Sequence, residues 1–231
     1  MTTGGRPPRI DLDDIVRAGR ELGLSRLSVK AVAARLGVTS TAIYRYVEGR
    51  WDLDRLVGES ILAELELRDT PDHDVERHLL SFALQLREFA LAHPGLAQYM
   101  QLLFPRGESG RRLLAAEVEA LGRRGYAPDA AIILGSGAAT VAIALAVSEE
   151  NSLRAEREDT PGLERARHTA IEGLAGHSLL GAPHSTLPQM ERSRYVRLLL
   201  TAVVRGLVEA APPGRPADKV IAGLAAMGEG R

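Results

Sequence analysis

Cysteine is absent from the 231-residue sequence, and aromatic residues make up only 4% of it. Without cysteine the chain forms neither disulfides nor thiolate metal sites. With so few aromatic rings, the core must consist mainly of Leu, Ala and Val. The first residues, MTTGGRPPRIDLDD, lack the apolar stretch of a secretory signal. We therefore expect a cytoplasmic protein of ordinary globular composition.

The sequence also offers little that predicts a membrane span. The longest apolar run, AAIILGSGAATVAIALAV at 130–147, is rich in Gly and Ala and contains Ser and Thr. A membrane-spanning helix needs about 20 mainly apolar residues. We interpret this run as a helix buried inside the protein, and we expect no membrane partner.

Charge is distributed unevenly along the chain. Residues 1–50 contain nine basic and five acidic residues, whereas the remainder contains twenty basic and twenty-five acidic residues. A basic segment attached to an acidic body favours a polyanionic partner for that segment alone. The length suits one small module followed by a larger one, which we place at 1–50 and 51–231.

Helical periodicity dominates the sequence, and no run alternates apolar and polar residues as a strand would. Asp11 and Ser28 stand where helix N-caps are expected, and Gly23 and Gly37 stand where helices should end. The fold class is therefore predicted to be all-α. Near the N-terminus, two apolar stripes have the spacing i, i+3, i+4, i+7: Ile15, Ala18, Gly19 and Leu22, then Val29, Val32, Ala33 and Leu36.

The same periodicity predicts helices in the rest of the chain. Residues 151–165 are polar and 176–188 are rich in turn-forming residues. We expect 151–188 to be a long, partly mobile connection with one helix near 162–173. A short helix is also expected at the end of the chain. The other predicted helices cover about 40–47, 50–65, 75–93, 96–103, 109–124, 128–149 and 189–210.

Residues 27–47, LSVKAVAARLGVTSTAIYRYV, have the spacing of a helix-turn-helix. Ala33 is small enough for a close helix crossing, and Gly37 suits a tight turn with positive φ. Val38 and Ile43 are placed to fix the second helix against the first. A generic corner between two helices is the alternative, since such corners also use glycine.

Polar side chains predict that this unit binds DNA. A recognition helix presents its N-terminal side chains to base edges, while neighbouring groups hold phosphates. Arg26, Ser28 and Arg50 flank the unit and suit phosphate binding, and Lys30 suits either a base or a phosphate. Arg6 and Arg9 belong to a basic N-terminal arm. The side chains expected to face outward from the second helix are Thr39, Ser40, Thr41, Tyr44 and Arg45.

Residues 27–57, LSVKAVAARLGVTSTAIYRYVEGRWDLDRLV, resemble the DNA-binding signature of the tetracycline-repressor (TetR) family of transcriptional regulators. The resemblance implies three N-terminal helices that bind DNA and a larger helical domain for ligand binding and dimerisation. It further implies a homodimer on a palindromic operator that a small-molecule effector releases. By position, the family's DNA contacts fall on Ser28, Lys30, Thr39, Ser40, Thr41, Tyr44, Arg45, Tyr46 and Arg50.

A second segment, RGYAPDAAIILGSGAATVAIALAVSEENS at 124–152, is distantly similar to the C-terminal domain of the tetracycline repressors themselves. Those repressors bind a magnesium–drug chelate partly through a histidine. The matching stretch here, AQYMQLLFP at 97–105, has Met100 near that place and no histidine. Glu149 and Glu150 lie near the other metal-contacting segment. The resemblance therefore does not extend to a tetracycline–magnesium effector.

We expect a ligand to bind among the helices of the body, where apolar pockets usually form. The six histidines do not cluster with metal-ligand spacing, so we expect neither a metal nor a cofactor. Most candidate lining residues are equally suited to a plain core. The candidates are Leu65, Phe82, Leu86, Phe89, Tyr99, Met100, Leu103, Phe104, Val118, Leu121, Ser136, Thr140 and Ile143.

Two other functions are compatible with parts of the sequence. Residues 135–140, GSGAAT, imitate a dinucleotide-binding G-x-G-x-x-A pattern, with Glu156 about 20 residues downstream. That pattern would make the protein an oxidoreductase, but it requires a preceding strand, which the sequence does not predict. Small residues also allow helices to pack closely. The other alternative is a helical adaptor that contacts a protein through its N-terminal unit.

The favoured interpretation is a ligand-responsive transcriptional repressor and not an enzyme. The helices at 128–149 and 189–210 are apolar around much of their circumference, which predicts burial on more than one side. Two such helices from each subunit would form a four-helix dimer interface. A symmetric dimer would then present two DNA-binding modules to a palindromic operator.

Overall fold

The computed structural model describes residues 10–105, 107–158, 160–184 and 190–228. These residues form helices and no strand, which confirms the predicted all-α class. The basic arm with Arg6 and Arg9 lies outside the described residues. The N-terminal elements are α1 (Leu12–Leu22), a short 3-10 helix η1 (Leu24–Arg26), α2 (Val29–Leu36), α3 (Ser40–Ile43) and α4 (Arg50–Leu62).

The remaining helices form the body of the protein. Its core lies between α5 and α8, the two helices that share the most extensive contact. The body helices are α5 (Val75–Ala92), α6 (Leu96–Leu103), α7 (Glu108–Gly122), α8 (Pro128–Glu158), α9 (Thr160–Ala175), α10 (Gly181–His184), α11 (Arg192–Ala210) and α12 (Ala217–Gly228).

Local chemistry sets the boundaries of the first helices as the sequence predicts. Asp11 forms a capping box with Asp14 at the start of α1, and Ser28 accepts a hydrogen bond from the Ala31 amide at the start of α2. Gly37 ends α2 with φ of 68°, a left-handed conformation that costs glycine little. The predicted helix over 40–47 is shorter, because regular helix ends at Ile43 and turns continue to residue 46.

The structure confirms the helix predicted near 162–173, which is α9, but the connection at 151–188 is otherwise more helical than predicted. Helix α8 continues to Glu158, and α9 and α10 occupy most of the described residues that follow. No residue of α9 whose burial the structure describes is buried, so this helix packs little against the rest of the protein. Glu156 forms ion pairs with Arg167 of α9 and Arg192 of α11, which tie the segment together.

Helix α8 is the central helix of the body. It contacts α5, α6, α7 and α11, and its buried residues are small, mainly alanine. Small side chains allow the neighbouring helices to approach closely. By length and composition alone α8 is the one helix among the described residues that would cross a membrane, a test that core helices also pass. Its contacts are those of a core helix, as the sequence analysis expects.

Helix α4 connects the N-terminal helices to the body. It contacts α1 on one side and α6 and α7 on the other. The carboxylate of Glu59 in α4 accepts hydrogen bonds from the backbone amides of Gly107 (3.1 Å), Ser109 (2.9 Å) and Gly110 (3.3 Å). A negative charge at a helix N-terminus stabilises the free amides and the positive end of the helix dipole. Glu59 therefore caps α7 from a different helix.

Candidate DNA interface and ligand cavity

The helix-turn-helix of the N-terminal module is formed by α2 and α3. Val32, Ala33 and Ile43 are buried where these helices meet α1 and one another. The amide of Val38 donates to the Ala33 carbonyl across the turn, at 3.0 Å. This packing fixes the direction in which the short α3 presents its polar side chains.

For five of the predicted DNA-contacting residues, the structure describes no side-chain hydrogen bond or ion pair. They lie on α2, on α3 and in the turns that follow α3. Tyr44 is 56% exposed, so both its ring and its hydroxyl are accessible. An exposed aromatic ring beside exposed basic and hydroxyl groups suits contact with bases and phosphates. The five are Lys30, Ser40, Thr41, Tyr44 and Arg45, of which only Ser40 is partly buried.

Four other predicted contacts also hold the module together. Ser28 caps α2, and Thr39 caps α3 by accepting from the Ala42 amide at 3.3 Å. The Tyr46 hydroxyl donates to the Ile10 carbonyl at 2.6 Å, and Arg26 Nε donates to the Leu22 carbonyl at 3.2 Å. Capping side chains at helix N-termini lie beside free amides, which are themselves phosphate-binding groups.

Arg50, the remaining predicted contact, lies at the first position of α4. Its Nε is 3.3 Å from Oδ2 of Asp54, one turn along the helix, and its side chain remains mostly exposed. Burial raises the pKa of Asp54 more than Arg50 lowers it. Arg50 is thus held at the edge of the module with its guanidinium group accessible.

A partly open cavity lies in the body between α5, α6, α7 and α8. Its volume is about 120 Å³, close to the ~150 Å³ apolar cavity known to bind benzene. Phe104 and Leu114, both well exposed, lie at its mouth. Phe104 ends α6 with φ of 47°, and a bulky residue pays roughly 1–3 kcal/mol for such a conformation.

Seven of the thirteen candidate ligand-binding residues line this cavity: Phe82, Leu86, Met100, Phe104, Ser136, Thr140 and Ile143. The other six pack in or against the hydrophobic core instead, because the sequence pattern marks apolar faces without separating a cavity wall from a filled core. They are Leu65, Phe89, Tyr99, Leu103, Val118 and Leu121.

Nine further residues line the cavity without being marked by the sequence pattern, and the most informative of them is Glu117. Glu117 occupies a position on the apolar stripe of α7, three and four residues after Leu114 and Leu113. A charged residue on an apolar stripe was therefore the available signal. The nine are Leu62, Leu67, Pro105, Gly110, Leu113, Leu114, Glu117, Gly135 and Ala139.

Glu117 belongs to a buried charge network that joins three parts of the body. The Nε2 atom of His78 in α5 lies 3.2 Å from each carboxylate oxygen of Glu117. The Nδ1 atom of His78 lies 3.1 Å from Oδ1 of Asp69, in the loop between α4 and α5. Asp69 in turn pairs with Arg123 and Arg124 at 2.7 Å each. The network therefore connects the cavity wall to the loop that follows α4.

We expect Asp69→Asn to remove part of the acid sensitivity of the protein. Burial raises the pKa of Asp69, but hydrogen bonds from Arg124 and Arg123 outweigh it and lower the pKa to about 2. A depressed carboxyl pKa stabilises the fold by about 2 kcal/mol above pH 4, and this contribution is lost as pH falls towards 2. Chemical unfolding between pH 6 and pH 2.5 measures it. An equally steep acid dependence in the variant would contradict the assignment.

The surroundings of the GSGAAT segment do not suit dinucleotide binding, and Glu149 and Glu150 already have partners within the protein. The GSGAAT segment lies within the continuous helix α8, whereas a dinucleotide fingerprint lies at a strand-to-helix turn. Glu149 is paired with Arg87, and Glu150 accepts from the Gly95 amide at 2.6 Å. Both carboxylates therefore stabilise contacts between helices.

The arrangement defines a class: a helix-turn-helix module joined through one helix to a helical body that contains a ligand-sized cavity. The TetR family protein ActR from Streptomyces coelicolor, solved in complex with actinorhodin, has this fold. Its TM-score is 0.73 at 21% identity, and the match covers 89% of this chain and 99% of that chain.

Two further solved structures have the same architecture. TetR-Q116A from Acinetobacter baumannii AYE, in complex with minocycline, has a TM-score of 0.65 at 18% identity, over 90% of this chain and 98% of that one. A putative transcriptional regulator from S. coelicolor A3(2) has a TM-score of 0.61 at 26% identity, over 89% and 100%. No family model and no curated protein matches the sequence. The chain has the fold of the TetR-family regulators, which confirms the resemblance carried by residues 27–57.

Proposed function

We propose that the protein is a cytoplasmic DNA-binding transcriptional regulator, and in particular a repressor, that a small molecule releases from its operator. The observation that carries the proposal is the group of exposed polar side chains on the helix-turn-helix, above all Lys30, Tyr44 and Arg45. Lys30, Tyr44 and the cluster Thr39–Thr41 are assigned to bases. We assign Ser28, Tyr46 and Arg50 to contacts with DNA phosphates. Arg26 and Arg45 add positive charge beside these contacts.

The proposal includes a homodimer on a palindromic operator. Helices α8 and α11 contact each other and both expose large apolar side chains, Ile132 on α8 and Tyr195 and Leu198 on α11. A second copy would bury these residues in a four-helix interface. A two-fold axis would then place two recognition helices on successive major grooves of one DNA face.

Release by a ligand requires that the cavity influence the DNA-binding module. Helix α4 supplies a connection, because Glu59 holds the first turn of α7, where Gly110 lines the cavity. A ligand that binds one arrangement of α7 more tightly than another would also favour one position of α4. The neighbours ActR and TetR-Q116A were solved in complex with actinorhodin and minocycline, which supports a small-molecule effector.

The test is fluorescence anisotropy with a labelled duplex from upstream of the protein's own gene, compared with a scrambled duplex across a salt series. We expect preferential binding whose log affinity falls with log salt by about 0.9 per phosphate neutralised. If neither this duplex nor duplexes selected from a random pool bind preferentially, the repressor proposal is wrong. The helical adaptor is then the function to pursue.

Variants in the module separate the two kinds of contact. Lys30→Ala or Tyr44→Ala should weaken binding to the preferred duplex about 5- to 100-fold and reduce the preference over the scrambled one. Arg50→Ala should weaken binding to both duplexes alike and reduce the salt slope by about 1. Arg35→Ala is the matched control, because Arg35 shares α2 with Lys30 and pairs with Glu21 of α1. Unchanged affinity and preference in all variants would contradict the assignment.

A further inference from the structure

The wall of the cavity between α5, α6, α7 and α8 is almost entirely apolar. Of the sixteen described residues that line it, thirteen are Leu, Ile, Phe, Met, Pro, Ala or Gly, and none is basic. The other three are Glu117, Ser136 and Thr140. The class of molecule that fits the cavity therefore depends on whether these three offer a polar group to a ligand.

Glu117 directs its carboxylate to α5 and not into the cavity. Both carboxylate oxygens lie 3.2 Å from Nε2 of His78. A methylene group of Glu117 lies closest to Gly135, another wall residue: a Cβ atom at Gly135 would lie 3.0 Å from Cγ of Glu117 and 3.9 Å from its Oε1. Glu117 therefore contributes the hydrocarbon part of its side chain to the contact with the wall of α8.

The two hydroxyl groups of the wall belong to α8 and remain in contact with water. Thr140 is exposed and Ser136 is half-buried. Hydroxyl groups within a helix can also donate to the carbonyl four residues earlier. Among the described residues, no buried polar atom without a hydrogen-bond partner belongs to the cavity wall. The wall therefore has no polar group that a ligand must satisfy.

A polar ligand would lose its contacts with water on entering this cavity without gaining equivalent partners. Burying a hydroxyl or an ionic group under those conditions is unfavourable, whereas burying apolar surface is favourable. The mouth of the cavity adds to the apolar surface, because the side chains of Phe104 and Leu114 are well exposed there. A ligand that reaches the mouth would cover both side chains.

We propose that the cavity binds a molecule built on a single hydrocarbon ring, held by the burial of apolar surface, with no ionic group and no hydrogen bond to the wall. The volume of about 120 Å³ is close to that of the ~150 Å³ apolar cavity that binds benzene. A short alkyl substituent would extend to the mouth between Phe104 and Leu114. The inference rests on the proposed function, since it names the chemical class of the effector.

Isothermal titration calorimetry at pH 7 with four matched probes tests the inference. The probes are ethylbenzene, 4-ethylphenol, 4-ethylbenzoate and 4-ethylbenzylamine. We expect ethylbenzene to bind tightest and 4-ethylphenol about tenfold more weakly, because its hydroxyl loses water without gaining a partner. The two ions should bind more weakly still. A phenol or an ion that binds as tightly as ethylbenzene would overturn the inference, and so would the absence of binding by all four probes.

Variants connect the binding to the cavity. Ala139→Phe fills the space beside α8 and should abolish the binding of ethylbenzene. Leu114→Glu replaces an exposed side chain, so the fold should tolerate it, and it should weaken ethylbenzene binding about tenfold by removing an apolar contact at the mouth.

Ala115→Glu is the matched control for Leu114→Glu. Ala115 is the next residue of α7, is also exposed, and does not line the cavity. We expect this variant to bind ethylbenzene as the wild type does. Equal losses in Leu114→Glu and Ala115→Glu, or unchanged binding in Leu114→Glu, would contradict the assignment of the ligand to this cavity.

The titrations use protein without DNA, so they are independent of operator binding. Failure of the probe preference would leave the DNA-binding proposal intact, and failure of the anisotropy test would leave the probe preference intact. Adding ethylbenzene to the protein–duplex complex then connects the two. Binding of ethylbenzene without release of the duplex would contradict the effector role of the cavity and not its preference for a hydrocarbon ring.

Discussion

Gly95→Ala should lower the free energy of unfolding by about 2–5 kcal/mol, through left-handed strain and overpacking together. Gly95 precedes α6 with φ of 91°, a conformation that L side chains rarely adopt. A Cβ atom there would lie 2.5 Å from the Ser25 backbone nitrogen and 2.8 Å from the Leu24 carbonyl carbon. Backbone atoms cannot rotate away as a flexible side chain does. The substitution therefore pushes the N-terminal module away from the body.

Two hydrogen bonds locate the same junction. The Ser25 amide donates to the Pro94 carbonyl at 3.2 Å, and the Gly95 amide donates to Glu150 of α8. We expect Gly95→Ala to weaken both. Denaturant unfolding at fixed protein concentration measures the effect, because the stability of the proposed dimer would depend on concentration.

Gly122→Ala is the control for the loss of glycine itself. Gly122 ends α7 with no heavy atom within 4 Å of a built Cβ, so its substitution should change stability by no more than about 1 kcal/mol. Equal midpoints for Gly95→Ala and the wild type would show that the junction tolerates the extra atom. They would also show that the two parts of the protein are not held together at this point.

The contrast between the first helices and residues 151–188 shows what the sequence predicts reliably. The N-terminal boundaries follow from groups that act within three or four residues, such as the Asp11 capping box and the positive φ of Gly37. Helix α9 confirms the helix predicted near 162–173, but none of its described residues is buried, so packing does little to mark where it begins and ends. One ion pair, from Arg167 of α9 to Glu156 of α8, connects the two helices.

The cavity illustrates a different limit. Val75, Leu79 and Phe82 form an apolar stripe on α5, and His78 occupies the position beside Leu79 on that stripe. A titratable residue interrupts the apolar stripe of α5 and that of α7. Each such residue predicts a buried polar group that requires a partner. The sequence does not predict that His78 and Glu117 pair with each other. They are 39 residues apart and meet only when α5 and α7 pack on α8.

We expect the free energy of unfolding to fall sharply when only one member of the buried pair His78 and Glu117 is removed. His78→Ala leaves the Glu117 carboxylate buried without its partner, and breaking a buried ion pair in this way costs about 3–5 kcal/mol. Asp69 keeps its arginine partners, so its own charge remains compensated. Denaturant unfolding at pH 7 measures the loss.

The double variant His78→Leu/Glu117→Leu decides whether the loss comes from an unpaired charge or from a missing contact. Replacing both members of a buried pair with apolar side chains of similar size is often neutral or stabilising. We therefore expect the double variant to recover most of the stability that His78→Ala loses. A double variant as unstable as the single one would mean that His78 and Glu117 hold α5 and α7 together by more than their mutual charge. Recovery would mean instead that the stability lost in His78→Ala comes from leaving Glu117 buried without its partner.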